Sequence, residues 1–126
     1  MLVFFLLSCI FSAPSIQIIH NSASPTVDIY IGNCSDPTFS TQEACDNNDP
    51  DAEWETELIV ESFKYRQATE DLNVPLDFIV YVAPSGFDSN GDDVVDYQDA
   101  ITEFPFILDD NKDYIVVATG LLNDSK

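Results

Sequence analysis

Through most of the chain, apolar and polar residues alternate with a period of two, the signature of strands with two unlike faces. In "TVDIYIG" (Thr26 to Gly32), Val27, Ile29 and Ile31 alternate with Asp28 and Tyr30, which predicts one buried and one wet face. "LDFIVYVAP" (Leu76 to Pro84) carries the strongest strand signal, with Phe78, Val80 and Val82 on one side and Ile79 and Tyr81 on the other. "IQIIH" (Ile16 to His20) is a strand closed by the turn-forming cluster "NSASP". "WETELIVESFKYR" is less cleanly bounded; Leu58 and Val60 are placed on one face, Phe63 and Tyr65 on another. "FPFIL" (Phe104 to Leu108), the turn "DDNKD" and "YIVVATG" (Tyr114 to Gly120) predict an antiparallel hairpin.

No amphipathic helix of three turns follows the opening segment, which argues against folds built on crossover helices. The expectation is all-β: an antiparallel β-sandwich, immunoglobulin-like or transthyretin-like, interrupted by two polar insertions. The first, Asn33 to Glu53, contains Ser40 and Glu43 at capping-box spacing, so "TQEACD" is expected to form a short helical turn. That turn carries Cys45 towards Cys34. The second insertion follows Pro84 and is strongly acidic.

The first 13 residues, "MLVFFLLSCIFSA", hold no charged side chain, and the apolar run is too short to span a membrane. Residues 1–15 read as a secretory leader and 16–126 as a single domain. Two other readings stay open for the opening segment: a lipobox in "LLSC" that would lipidate Cys9, and a first strand of the fold. The expected location is secreted or cell surface. Without Cys9, Cys34 and Cys45 remain as an even pair, which an exporting, oxidising compartment would bridge. Neither a CxxC pair nor a second histidine supports thiol catalysis or zinc.

Four basic against 23 acidic residues give a formal net charge of -19 and a pI near 4.1. Such a surface repels phosphate backbones and anionic lipids and attracts cations. Nucleic acid is therefore not an expected partner, and no transmembrane span is expected.

Within the acidic insertion, "DSNGDDVVDYQD" (Asp88 to Asp99) has the spacing of a 12-residue calcium loop. Oxygen donors fall at Asp88, Asn90 and Asp92, then at the Val94 carbonyl, at Asp96 through a water, and at Asp99. The cofactor expected is a structural Ca2+. Val95 is expected to pin the loop to the core. Two positions depart from the pattern: Asp93 stands where glycine provides a left-handed turn, and Asp99 where a longer glutamate is usual. The segment resembles the calcium loops of bacterial dockerin modules, "DxNGDGxVDxxDA", which end in Asp. That resemblance implies the same six ligands. Pro105 stops any helix after "AITEF", so the loop reads as an element grafted between strands.

The remaining frame, "IQIIHNSASPTVDIYIG", "FKYRQAT...VP", "IVYVAPSG" and "FPFILDDNKDYIVVATGLL", resembles an uncharacterised secreted bacterial domain family. Its members are typified by "VVHASPDAPAVDVYVNG" and "GKTYTVVATG". The resemblance implies a transthyretin- or immunoglobulin-like sandwich on bacterial surfaces and no catalytic residues. Members commonly continue into another strand, so a fragment is one expectation.

His20, the only histidine, precedes a turn and is expected to bond the "NSAS" loop rather than act as a general base. Asp77 and Glu103 are the carboxylates considered for hydrolysis, and neither is placed in an apolar cleft by the pattern. The expected role is a non-catalytic scaffold or adhesion domain, with other domains of a larger surface protein or matrix components as partners. A carbohydrate-binding module is the alternative, with Trp54, Tyr65, Tyr81 and Tyr97 stacking on sugar rings. A small secreted hydrolase is the second alternative.

Overall fold

A computed structural model describes residues 14–22, 26–36, 38–48 and 50–119. Residues 1–13 of the leader, Cys9 among them, and the segment after Thr119 lie outside the described residues. Ser15, placed at the end of the leader, is the first residue of β1, and the Pro14 carbonyl before it accepts a bond from the Val74 amide.

Among the described residues, seven strands form two sheets. In chain order they are β1 (Ser15–Asn21), β2 (Val27–Cys34), β3 (Trp54–Phe63), β4 (Leu72–Asn73), β5 (Asp77–Pro84), β6 (Thr102–Ile107) and β7 (Asp113–Thr119). One sheet has the order β4-β1-β7, the other β3-β2-β5-β6. The only α-helix among the described residues, α1 (Gln42–Asn48), lies between β2 and β3, and a 3-10 turn (Tyr97–Asp99) lies between β5 and β6.

The inner faces of both sheets share one core. Ile16 and Ile18 of β1 meet Val27, Ile29 and Ile31 of β2 and Phe78, Val80 and Val82 of β5. The period-two reading of β2 and β5 therefore places their inward residues correctly. Their other faces are not wet: Tyr30, Ile79, Tyr81 and Ala83 form a second buried cluster, covered by Trp54, Tyr97 and Ala100. Alternation marks which residues share a face and is silent on whether a loop covers the second face.

Three further expectations are corrected. β6 and β7 do not pair as a hairpin; β6 pairs with β5 and β7 runs parallel to β1, Ser15 opposite Asp113 through Asn21 opposite Thr119. Residues 108–112 cross from one sheet to the other, so Phe106 and Val116 reach the same core from opposite sides. The second correction concerns β3, where a bulge sets Val60 opposite Ile29 but Leu58 opposite Tyr30. The extra residue reverses the face, leaving Leu58 exposed while Ile59 and Val60 pack inward. The buried Asp28 carboxylate fixes this segment by accepting from the Ser62 amide at 2.9 Å, where Ser62 has φ of 55°. Phe63 then closes the strand in the core, and Tyr65 lies beyond it in an exposed turn. The third correction is the cap of α1, which is Thr41: its Oγ1 accepts from the Ala44 amide at 3.1 Å. Ser40 instead donates to the Asp77 carboxylate at 2.6 Å.

Cys34 and Cys45 form a disulfide with Cα atoms 5.7 Å apart, both residues buried. The bridge ties α1 to the end of β2, as the even cysteine pair predicted. Among the described residues no helix is long and apolar enough to cross a membrane.

Candidate metal site in the acidic loop

The loop from Asp88 to Asp99 curls because its side chains accept its own backbone amides. Asp88 takes the amides of Gly91 at 2.8 Å and Asp93 at 2.7 Å, and that of Asp92 at 3.3 Å. Asn90 takes the Asp92 amide at 3.2 Å, Asp92 takes that of Val94 at 2.9 Å, and Asp96 takes that of Gln98 at 2.9 Å. Each is an Asp or Asn side chain replacing a backbone acceptor two or more residues back, the tendency that makes these residues turn formers. The curl needs left-handed backbone at Gly91, φ 77°, and at Asp93, φ 67°. Asp93 thus adopts the conformation that the spacing assigned to a glycine.

Asp99 closes the loop and is fully buried. One carboxylate oxygen accepts the Ser89 amide at 2.9 Å and the Asn90 amide at 3.3 Å; the other accepts the Asp96 amide at 2.9 Å. The Asp96 amide, followed by those of Asn90 and Ser89, holds the Asp99 carboxyl below the usual carboxylate range against the opposing effect of burial. Asp99 is therefore a buried anion.

Asp88, Asp92 and Asp99 each present a carboxylate oxygen within 4.8 Å of the other two. Asn90 stands beside them, its side-chain nitrogen 3.3 Å from Asp92. A carboxylate has about four lone-pair sites, so the bonds above leave acceptor capacity on all three acids. The donor set is entirely oxygen, which suits a hard cation such as calcium rather than zinc. Asp96 caps the 3-10 turn and lies outside that triad, and Val94 is exposed with its amide bonded to Asp92.

Val95 does not pin the loop; it is exposed. Tyr97 and Ala100 do so instead, packing on the outer cluster of the four-stranded sheet. Tyr97 lies against Tyr81 with ring centroids 5.0 Å apart. The aromatic residues considered for sugar stacking thus separate into two groups. Trp54, Tyr81 and Tyr97 pack on one another, the Trp54 indole donating to the Tyr81 hydroxyl at 3.2 Å, while Tyr65 stands apart beneath the Arg66 guanidinium, 5.0 Å away.

His20 is buried against Phe63, ring centroids 5.3 Å apart, and its Nδ1 accepts the Ser22 amide. Asp77 binds Ser40, and Glu103 is exposed on β6 opposite Tyr81. Tyr97, considered for sugar stacking, takes the anchoring role that the apolar pattern assigned to Val95.

No family model, no curated protein and no solved structure matches the chain.

Proposed function

We propose that the chain is an exported, non-catalytic domain, a sandwich of immunoglobulin or transthyretin type, whose loop 88–99 binds one calcium ion for stability. The observation that carries this reading is the convergence of Asp88, Asp92 and Asp99 from both ends of one curled loop. Three carboxylates so close repel one another, and Asp99 is buried as well. A bound divalent cation would offset that repulsion and join the start of the loop to its end. Asp88, Asn90, Asp92 and Asp99 would hold it, with the Val94 carbonyl and Asp96 through water completing the shell.

The buried disulfide supports an oxidising compartment, and the apolar leader supports export. The resemblance to secreted bacterial domains supports a surface address. Partners of the stated class are neighbouring domains of a larger surface protein or matrix components. The mutual packing of Trp54, Tyr81 and Tyr97 supports a structural role for those rings over a sugar-binding row.

Calorimetric titration and thermal unfolding at fixed ionic strength, calcium against magnesium, test the reading. Calcium is expected to bind at one saturable site and to raise the unfolding midpoint by mass action. Asp88→Asn with Asp92→Asn removes two charges while keeping one of the two acceptor oxygens at each position, and is expected to abolish the calcium-specific rise. A calcium response equal to that of magnesium in the parent chain would overturn the reading.

A further inference from the structure

Among the described residues, β6 and β7 are each the outermost strand of their sheet, and an apolar groove of about 280 Å3 runs between the sheets on that side. Ile18, Val80, Val82, Phe104, Phe106 and Val116 line it. Phe104 lies opposite Val80, on the inward side of β6, yet is 46% exposed. The core is therefore open along this seam.

The two edges differ in what they offer another strand. β6 contains Pro105, which has no N–H and blunts the edge. β7 contains no proline, no glycine and no charge after Asp113, and Ile115 and Val117 on its outer face are 67% and 48% exposed. Among the described residues β7 pairs only with β1. A β-branched edge without proline, and without charge beyond Asp113, is a template for strand addition.

We propose that the edge of β7 that no described residue pairs with, with the groove beside it, takes up an extended peptide strand from a partner protein: apolar at alternate positions and basic at the end next to the 108–112 connection. Backbone pairing would come from the edge, and alternate side chains would enter the groove. The basic end follows from charge. Asp109, Asp110 and Asp113 are exposed around the connection, and its one cation, Lys112, lies 3.6 Å from Asp109. The chain as a whole carries -19, which attracts a cationic strand and repels a second copy of itself. Residues 1–13, the apolar alternative within the chain, have no charged side chain to meet those acids.

Fluorescence anisotropy with the full chain and labelled peptides of alternating valine and threonine, with two lysines at either the amino or the carboxyl end, tests the proposal. One of the two orientations is expected to bind saturably. Scrambling the alternation, or exchanging lysine for glutamate, is expected to weaken binding at least about tenfold. N-methylation of one alternate set of peptide amides is expected to abolish binding, and of the other set to spare it, because an added strand bonds the edge through one set only. Phe104→Asp in the groove and Val117→Lys beside the edge are each expected to weaken binding by a similar factor, with far-UV circular dichroism checking the fold. Absence of saturable binding by either peptide overturns the proposal, as does binding indifferent to which amides are methylated. A Val117→Cys chain, mildly oxidised, names the rival occupants: a bridge to Cys9 in the same chain assigns the edge to residues 1–13, a bridge between chains assigns it to a second copy, and either overturns the proposal.

Discussion

The Gln42 side-chain amide donates to the Tyr97 hydroxyl at 3.2 Å, joining the two insertions of the chain across the outer face of one sheet. Gln42 begins the helix that the disulfide holds; Tyr97 belongs to the acidic loop and rests on Tyr81. Tyr97 and Ala100 of the acidic insertion, with Trp54 at the start of β3, roof the second buried cluster, which explains why β2, read as half-wet, is buried on both faces.

From this link follows the effect of removing the bridge. Cys34→Ala with Cys45→Ala is expected to lower stability by about 3 kcal/mol, the chain-entropy value for a loop of this size. Helix α1 is too short to persist alone, so amide exchange should rise across 42–48 and also across 88–99. Faster exchange confined to the helix would show that the insertions are independent.

Gly32 is the floor under the roof. A Cβ there would lie 2.8 Å from the Trp54 Nε1 and 2.8 Å from a Tyr81 ring carbon, neither of them the end of a flexible chain. Gly32→Ala is expected to cost about 1–3 kcal/mol by overpacking, despite the entropic gain of replacing glycine in a strand. Denaturant unfolding with tryptophan fluorescence reads both the loss and the displaced indole. An unchanged or higher midpoint would show that Trp54 moves freely.

Tyr30 has its hydroxyl pushed above the ordinary phenol range by burial, then by Asp28, Asp96, Asp99 and Glu61. A folded pKa above the unfolded value means that the native state holds the proton more tightly. The resulting stability is whole below the unfolded pKa of about 10 and is lost as pH rises beyond it. Tyr30→Phe is expected to shift the alkaline unfolding limb to higher pH and to leave the neutral midpoint little changed. An alkaline limb identical to that of the parent would remove Tyr30 from the account.

The legible parts of this fold are those that depend on neighbours in sequence. Inward residues of β2 and β5, the Cys34–Cys45 pair and the curl of 88–99 each follow from local spacing, and the structure places them accordingly. What failed depends on distant partners. "FPFIL" and "YIVVATG" look alike whether they pair with each other or join separate sheets, and nothing local marks the parallel register of β7 on β1. A bulge of one residue reversed the face of Leu58. Val95 was given the anchoring role because it is apolar, whereas Tyr97 holds it through a ring that meets Tyr81 and a hydroxyl that meets Gln42.

Asp93 provides the sharpest separation of loop strain from metal binding. Its φ of 67° is left-handed, a region that an aspartate enters at a cost of roughly 1 kcal/mol or less and glycine enters freely. Its amide donates to Asp88 at 2.7 Å, a bond that glycine can also make. Asp93→Gly is therefore expected to relieve strain, partly offset by the greater entropy of glycine in the unfolded chain, for a net gain of a few tenths to about 1 kcal/mol without calcium. The same change removes one carboxylate from a crowded acidic loop, which favours the metal-free fold further and slightly weakens long-range attraction for a cation. Because Asp93 is not among the six proposed ligands, the calcium-dependent rise in midpoint should survive in Asp93→Gly while it disappears in Asp88→Asn with Asp92→Asn. Thermal unfolding of the three chains in chelator and in saturating calcium at one ionic strength separates the two effects. Loss of the calcium response in Asp93→Gly would move Asp93 into the coordination shell and reject the six-ligand assignment of the loop.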